Sequence, residues 1–394
     1  MKKIMYCCII MAFLFVSCDK NNSNETIIKI GAIFPFASNA YVNGECMKAA
    51  LNEATTKLNT ESNDVNFEFV MINNDQNDAL TISALQELDS QGIKHVVAAL
   101  SSYDLNAAKT YADANEMYIV NQTSTAPYLA EEDNIYRIIP SDKQTAPAIA
   151  KAMNNEGIKK VITVYRDDIW GASLASELEI SLANYQIEQL ALLPYSGRSG
   201  SDAFDDLLSQ ISSSVSDLVA DEFNNEIAIQ VISFSEGIDL IEKAADVDKL
   251  NLVRWFGSDG FSFNPDVENN KKVAQFMIQT KFLSPLFAES NTEEYNTLKA
   301  AIEQKSGMTA NSFALLYYDA AMLTGQTLEA IYGTSTNFGT ALLNQISNGG
   351  TVCGDFGLDA AGDRITSADY DFWGIEKNGQ EYKWTKIISS VSSD

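Results

Sequence analysis

Apolar and polar positions alternate along this chain in two distinct periods, and the two periods take turns. Ile27 to Phe34 is a continuous apolar run of strand length. Gly44 to Leu58 follows with Met47, Ala50, Leu51, Ala54 and Leu58 at helical spacing, which predicts an amphipathic helix. Val65, Phe67, Phe69 and Met71 alternate with polar residues, as in a half-buried strand. A helix over 79–88 stops before Gly92. A buried strand over 96–100 leads to a helix near 105–114, and 117–120 is a further strand. Strand–helix alternation of this kind predicts parallel strands covered by helices, a doubly wound α/β lobe.

The rhythm restarts after Pro140. Helices are predicted over 144–154, 174–183, 204–219 and 238–245, and strands over 160–165, 187–193, 227–234 and 252–256. Two helices, 293–305 and 311–332, then precede a short β portion around 370–376 and 382–387. The expected architecture is α/β: two Rossmann-like lobes joined by a three-strand hinge. Crossings are expected near Pro140, Phe282 and Gly354. Lobe 1 would comprise 27–141 plus 283–354, and lobe 2 142–282 plus 355–390.

The N-terminus departs from this pattern. Lys2 and Lys3 precede an apolar run, Ile4 to Val16, and Ser17-Cys18-Asp19 closes it. A positive start, a short apolar core and a small residue mark a secretory signal over residues 1–17. Thirteen apolar residues fall short of the roughly 20 that a spanning helix needs. The Cys after the small residue resembles a bacterial lipobox, which implies acylation at Cys18; an ordinary signal peptide or a short membrane anchor are the other readings. Residues 18–26 are polar and read as a tether.

Composition narrows the function. The 394-residue chain carries a net charge of −26, and loss of Lys2 and Lys3 makes it −28. Such a field repels phosphate backbones and argues against nucleic acid. The one histidine, His95, opens a buried strand and reads as structural; its solitude excludes a zinc HExxH site, and a Ser-His-Asp triad would have only this one candidate. No GxGxxG follows the first strand. No metal site and no cofactor is expected, and an enzyme is the weakest of the readings. Once the leader cysteines and Cys18 are set aside, Cys46 and Cys353 remain. In an oxidising compartment they form a candidate disulfide.

In open parallel sheets ligands collect at the carboxyl ends of strands. Three such loops stand out in the first half: Pro35 to Tyr41, Ser101-Ser102-Tyr103-Asp104, and Asn121 to Pro127. Hydroxyl-rich loops at a helix N-terminus suit a carboxylate, although Ser is also an ordinary N-cap. The second half offers Asp167-Asp168-Ile169-Trp170-Gly171, Ser233-Phe234-Ser235-Glu236 and Gly257-Ser258-Asp259-Gly260. An acid facing hydroxyls would complement a zwitterion, with Asp259 on its ammonium and Trp170 adding a cation–π contact; from the residues alone, core packing for Trp170 and a turn position for Asp259 are the simpler readings.

In this order and spacing, the strand at 27–34, Tyr41…Gly44, Leu100-Ser101-Ser102, Thr123-Ser124-Thr125-Ala126-Pro127, Tyr136-Arg137-Ile138, Ile169-Trp170-Gly171 and Phe256-Gly257-Ser258-Asp259-Gly260 resemble the type I periplasmic binding proteins of the leucine/isoleucine/valine-binding family. The resemblance implies the periplasmic binding protein-like I fold. It implies ligand-carboxylate contacts at Ser101 and its neighbour Ser102, at Ser124 through its backbone, and at Thr125. It puts Asp259 on the α-amino group, Trp170 over the ligand, Tyr41 near it, and the second-lobe aromatic at Ser233 or Phe234. Two departures are visible: Leu100 stands where some members carry a disulfide Cys, and Asp259 is a methylene shorter than the Glu of others. The resemblance implies a lipid-tethered, extracytoplasmic receptor of an ABC importer, partnered by a membrane permease. A sensor subunit for an amide or urea compound is the alternative.

Overall fold

A computed structural model describes residues 26–37, 42–62, 64–197, 203–220 and 222–393. The signal over 1–17, Cys18, the tether up to residue 25 and Tyr41 lie outside the described residues. The first half runs β1 (Thr26–Phe34), α1 (Gly44–Glu61), β2 (Val65–Asn73), α2 (Asp78–Ser90), β3 (His95–Ala98), α3 (Ser102–Ala114), β4 (Tyr118–Asn121) and β5 (Ile135–Pro140). It continues as α4 (Asp142–Asn155), β6 (Lys160–Arg166), α5 (Ile169–Asn184), β7 (Glu188–Tyr195), α6 (Ala203–Ser216), β8 (Asn224–Ile232), α7 (Gly237–Ala244), β9 (Val253–Phe256), α8 (Pro265–Asn269) and α9 (Lys271–Gln279). The last part holds β10 (Ser284–Phe287), α10 (Glu293–Ser306), α11 (Ser312–Ile331), α12 (Phe338–Ser347), β11 (Asp363–Arg364), β12 (Asp369–Asn378) and β13 (Glu381–Ser392).

Three sheets result. The first is parallel, in the order β11-β5-β4-β3-β1-β2, and the second is parallel, β7-β6-β8-β9. Each has the strand order of a doubly wound sheet, with the chain reversing direction beside its first strand. The third, β10-β12-β13, is antiparallel. A parallel bridge from Phe256 to Leu283 joins it to the edge of the second sheet. The continuous apolar runs of β1 and β8 are explained by burial on both faces, as parallel sheets require.

Hydrogen bonding distributes the C-terminal half differently from the expected boundaries. Ser284–Phe287 pairs with Tyr370–Trp373 of the third sheet, not with the first. Asp363–Arg364 pairs with β5 of the first sheet, although the sequence assigns 355–390 to the second lobe. β10 carries Pro285 and β11 is only two residues long, so neither presents a legible strand period.

Helix α11 is buried along nearly its whole length and packs on α1 across the first sheet. Cys46 and Cys353 are both buried free thiols, so the candidate disulfide is corrected. Cys46 Sγ lies 3.6 Å from Ser306 Oγ and 3.7 Å from the Thr309 carbonyl. The Cys353 loop is held instead by Asp319, whose carboxylate accepts the Val352 and Cys353 N–H groups at 2.9 Å each. His95 stacks on Tyr118 and leans on Phe338, and burial pushes its imidazole down to about 4. It is a neutral packing residue. Among the described residues no helix is long and apolar enough to cross a membrane, and no group of three or more acidic, His or Cys side chains is placed to hold a metal ion.

Candidate functional site

The site begins at the carboxyl ends of β3 and β4. The chain leaves β3 through buried Ala99 and Leu100 and enters α3 with Ser101 as N-cap. Ser101 Oγ accepts the Asp104 N–H at 3.2 Å and donates its own proton to Asp104 Oδ2 at 2.8 Å. Asp104 is 2% exposed, and its other oxygen, Oδ1, has no hydrogen-bond partner. Burial raises its carboxyl above the ordinary range; Asp78 adds to this, while the Ser101 bonds and Arg166 oppose it.

The neighbouring loop is wired by Asn121. Its amide donates to the Leu100 carbonyl at 3.1 Å, and its Oδ1 accepts the N–H groups of Thr123 at 2.9 Å and Ser124 at 2.8 Å. The Ser124 backbone donor expected for a ligand carboxylate is thus already engaged, a correction that follows from Asn121 lying at the end of β4. Ser124 Oγ donates to Ser102 Oγ at 3.0 Å, which also accepts the Ala126 N–H at 3.3 Å. Thr125 Oγ1 donates to Asp142 Oδ2 at 3.0 Å, and the Asp142 N–H returns to the Thr125 carbonyl at 2.9 Å.

Asp142 opens α4 and is 1% exposed. Burial raises its carboxyl well above the ordinary range, and Asp259 raises it further against the pull of Thr125 and Arg137. Asp259 follows β9 in a short 3-10 turn, and burial of its carboxyl pushes it up to about 6. Its Oδ1 is out of water and unpartnered. Thr125, Asp142 and Asp259 therefore form one cluster, with two carboxyls close enough to repel.

The second sheet contributes an aromatic stack. Asp168 caps α5, accepting the N–H groups of Trp170 at 3.1 Å and Gly171 at 2.9 Å. This seats the Trp170 ring parallel to Phe234, with centroids 4.2 Å apart. The Arg166 guanidinium covers the opposite side of Phe234 at 5.1 Å and pairs with Asp168 at 2.6 Å and Glu236 at 3.5 Å. Behind the stack, the Tyr195 hydroxyl reaches Ser233 Oγ at 2.5 Å and Glu236 Oε1 at 3.0 Å.

The two halves meet around a cavity of about 190 Å³, lined by Gln76, Asn77, Ser101, Tyr103 and Asp104 from the first sheet's side and Arg166 and Phe234 from the second's. Of the expected site residues, Ser101 and Phe234 line it. Trp170 is buried behind Phe234 and does not. Ser102, Ser124 and Thr125 lie in the buried wall beneath, and Asp259 faces Asp142 beside them. Sequence reasoning gave no role to Asp104, Asp142 or Arg166. Asp104 stood inside a motif it singled out. An acid in the first turn of a helix reads as a dipole partner, and that signal hid both aspartates.

Residues 43–378 match the family model described as the receptor family ligand binding region. An uncharacterized protein of Methanocaldococcus jannaschii is 22% identical over 387 residues, covering 91% of this chain and 89% of its own. An ABC transporter substrate-binding protein of Desulfitobacterium hafniense in complex with Leu superposes with a TM-score of 0.69 at 19% identity, over 91% of this chain and 100% of that one. A leucine-binding protein, LivK, of Thermotoga maritima gives 0.70 at 18%, over 92% and 99%. An ABC transporter solute-binding protein of R. palustris in complex with 4-hydroxybenzoate gives 0.72 at 17%, over 93% and 98%.

Proposed function

Because the chain belongs to the receptor family ligand binding region, with the α/β fold and parallel sheets of type I periplasmic binding proteins, we propose that it is an extracytoplasmic solute-binding lipoprotein of an ABC importer. It captures a small amino-acid-like molecule between two lobes. The observation that carries this reading is the cavity shared by the two sheets, with Ser101 and Asp104 on one wall and Arg166 and Phe234 on the other. Lobe 1 is 27–141 with the helices and edge strand of 288–364, and lobe 2 is 142–287 with 369–393. The ligand ammonium sits against Asp259 and Asp142, whose crowded carboxyls gain most from a positive charge. The hydroxyls of Ser101 and Ser102 receive the opposite end, Thr125 being bonded to Asp142 on the ammonium side, and Phe234, backed by Trp170, forms the apolar side. Cys18 carries the lipid, and the closed form docks on a membrane permease. Solved relatives in complex with Leu and with 4-hydroxybenzoate support a carboxylate-bearing solute. No turnover is assigned to the site.

Thermal unfolding of residues 19–394 against amino acids, carboxamides and benzoate tests the reading. A true ligand at a hundred times its Kd stabilises the protein by about 2.7 kcal/mol. A flat response across the whole panel overturns it.

A further inference from the structure

A serine hydroxyl has one proton to give and two lone pairs. At Ser101 the proton is given to Asp104 Oδ2 at 2.8 Å, and one lone pair is taken by the Asp104 N–H at 3.2 Å. With Asp104 ionised, Ser101 can only accept, and the unpartnered Asp104 Oδ1, buried and at the cavity wall, adds a second acceptor. Such a wall repels an anion. A ligand carboxylate reaches the Ser101 hydroxyl only if the bond between the two side chains reverses.

On the amino-acid-like reading above, we infer that Asp104 is a positioning residue that takes up one proton when an anionic group is captured at Ser101. A proton from solvent goes to the Asp104 carboxylate, whose new O–H donates to Ser101 Oγ. The Ser101 O–H is then released to the ligand carboxylate. No covalent bond changes.

The surroundings of Asp104 suit this exchange. Burial already favours its neutral form, Asp78 of α2 faces it with a like charge, and Arg166 across the cavity opposes this. Arg166 is itself shared with Asp168 and Glu236, and Tyr103 on α3 bonds Asp78 at 3.1 Å. A ligand anion arriving beside Asp104 raises its proton affinity further.

The test is calorimetric titration of the protein with each of the twenty amino acids and benzoate, the tightest binder then being followed from pH 5.5 to 8.5 in two buffers of different ionisation heat. Above the Asp104 titration point the wild type takes up about one more proton per ligand than Asp104→Asn. Its affinity falls about tenfold per pH unit relative to that variant. Asp104→Asn, permanently neutral and still able to donate to Ser101, binds more tightly than the wild type at pH 8. Equal proton uptake by the two proteins overturns the inference alone. So does affinity that rises with pH, which would mean a ligand cation received by an ionised Asp104. Loss of binding in Asp104→Asn with unchanged near-UV circular dichroism also overturns it. Failure of the whole panel to bind overturns the amino-acid reading and this inference with it.

Discussion

Asp259 shows how a proposed binding residue weakens the fold that carries it. Its carboxyl rises from the ordinary 3.8 to about 6 through burial, and its Oδ1 has no partner. A raised carboxyl pKa means that the folded state holds the proton more tightly than the unfolded chain does. The stabilisation is present in full below the unfolded value and is lost as pH rises through about 6. A rise of that size corresponds to at most about 3 kcal/mol. Asp259→Asn is therefore expected to be more stable than the wild type at pH 8 and to lose that advantage near pH 4, read from urea midpoints. The same variant should lose most of its affinity for an amino-acid ligand. The loops that carry Ser101, Thr125 and Asp259 were legible in the sequence because strand ends announce where loops converge. Which hydroxyl is already committed to which acid was not, since that depends on distances between chain segments far apart in sequence.

At the scale of elements, α5 is set against the end of β6 with no room to spare. A Cβ on Gly171 would lie 2.1 Å from the Arg166 carbonyl oxygen, so the first turn of the helix packs directly on backbone. Gly171→Ala must push Arg166 away from Phe234 or lift the helix. Overpacking of this kind costs typically 1–3 kcal/mol, and because Arg166 and Phe234 line the cavity, ligand affinity should fall along with the chemical-denaturation midpoint. Most strands and helices of the two parallel sheets were readable because each offers a full period of apolar positions. By contrast, β5, α8, α9, β10, α12 and β11 passed unrecognised. Some are short, three carry a proline (β5, α8 and β10), and β11 owes its existence to a hydrogen-bonding partner rather than to its own two residues.

At the scale of the molecule, the edge of the first sheet is held by a pair of residues 226 positions apart in the chain. Arg137 Nε and Nη2 grip Asp363 Oδ1 and Oδ2 at 2.5 Å each, with both residues buried, and Arg137 Nη1 donates to the Ala126 carbonyl at 2.6 Å. Arg137→Met should leave Asp363 charged and unpaired, at a cost of about 3–5 kcal/mol measured by urea unfolding. It should also loosen the loop that presents Thr125. The two-lobed plan was visible in the sequence as a repeated rhythm, but no local pattern reports a contact spanning 226 positions. That span governs how the protein comes into being. A nascent chain emerging amino end first presents β1 to β5 long before β11 and α11 exist to border and cover them. The first-made half must wait, incomplete and with an open edge, for nearly the last residues to arrive. Any holding factor that shields unfinished sheets would act on this chain during that interval.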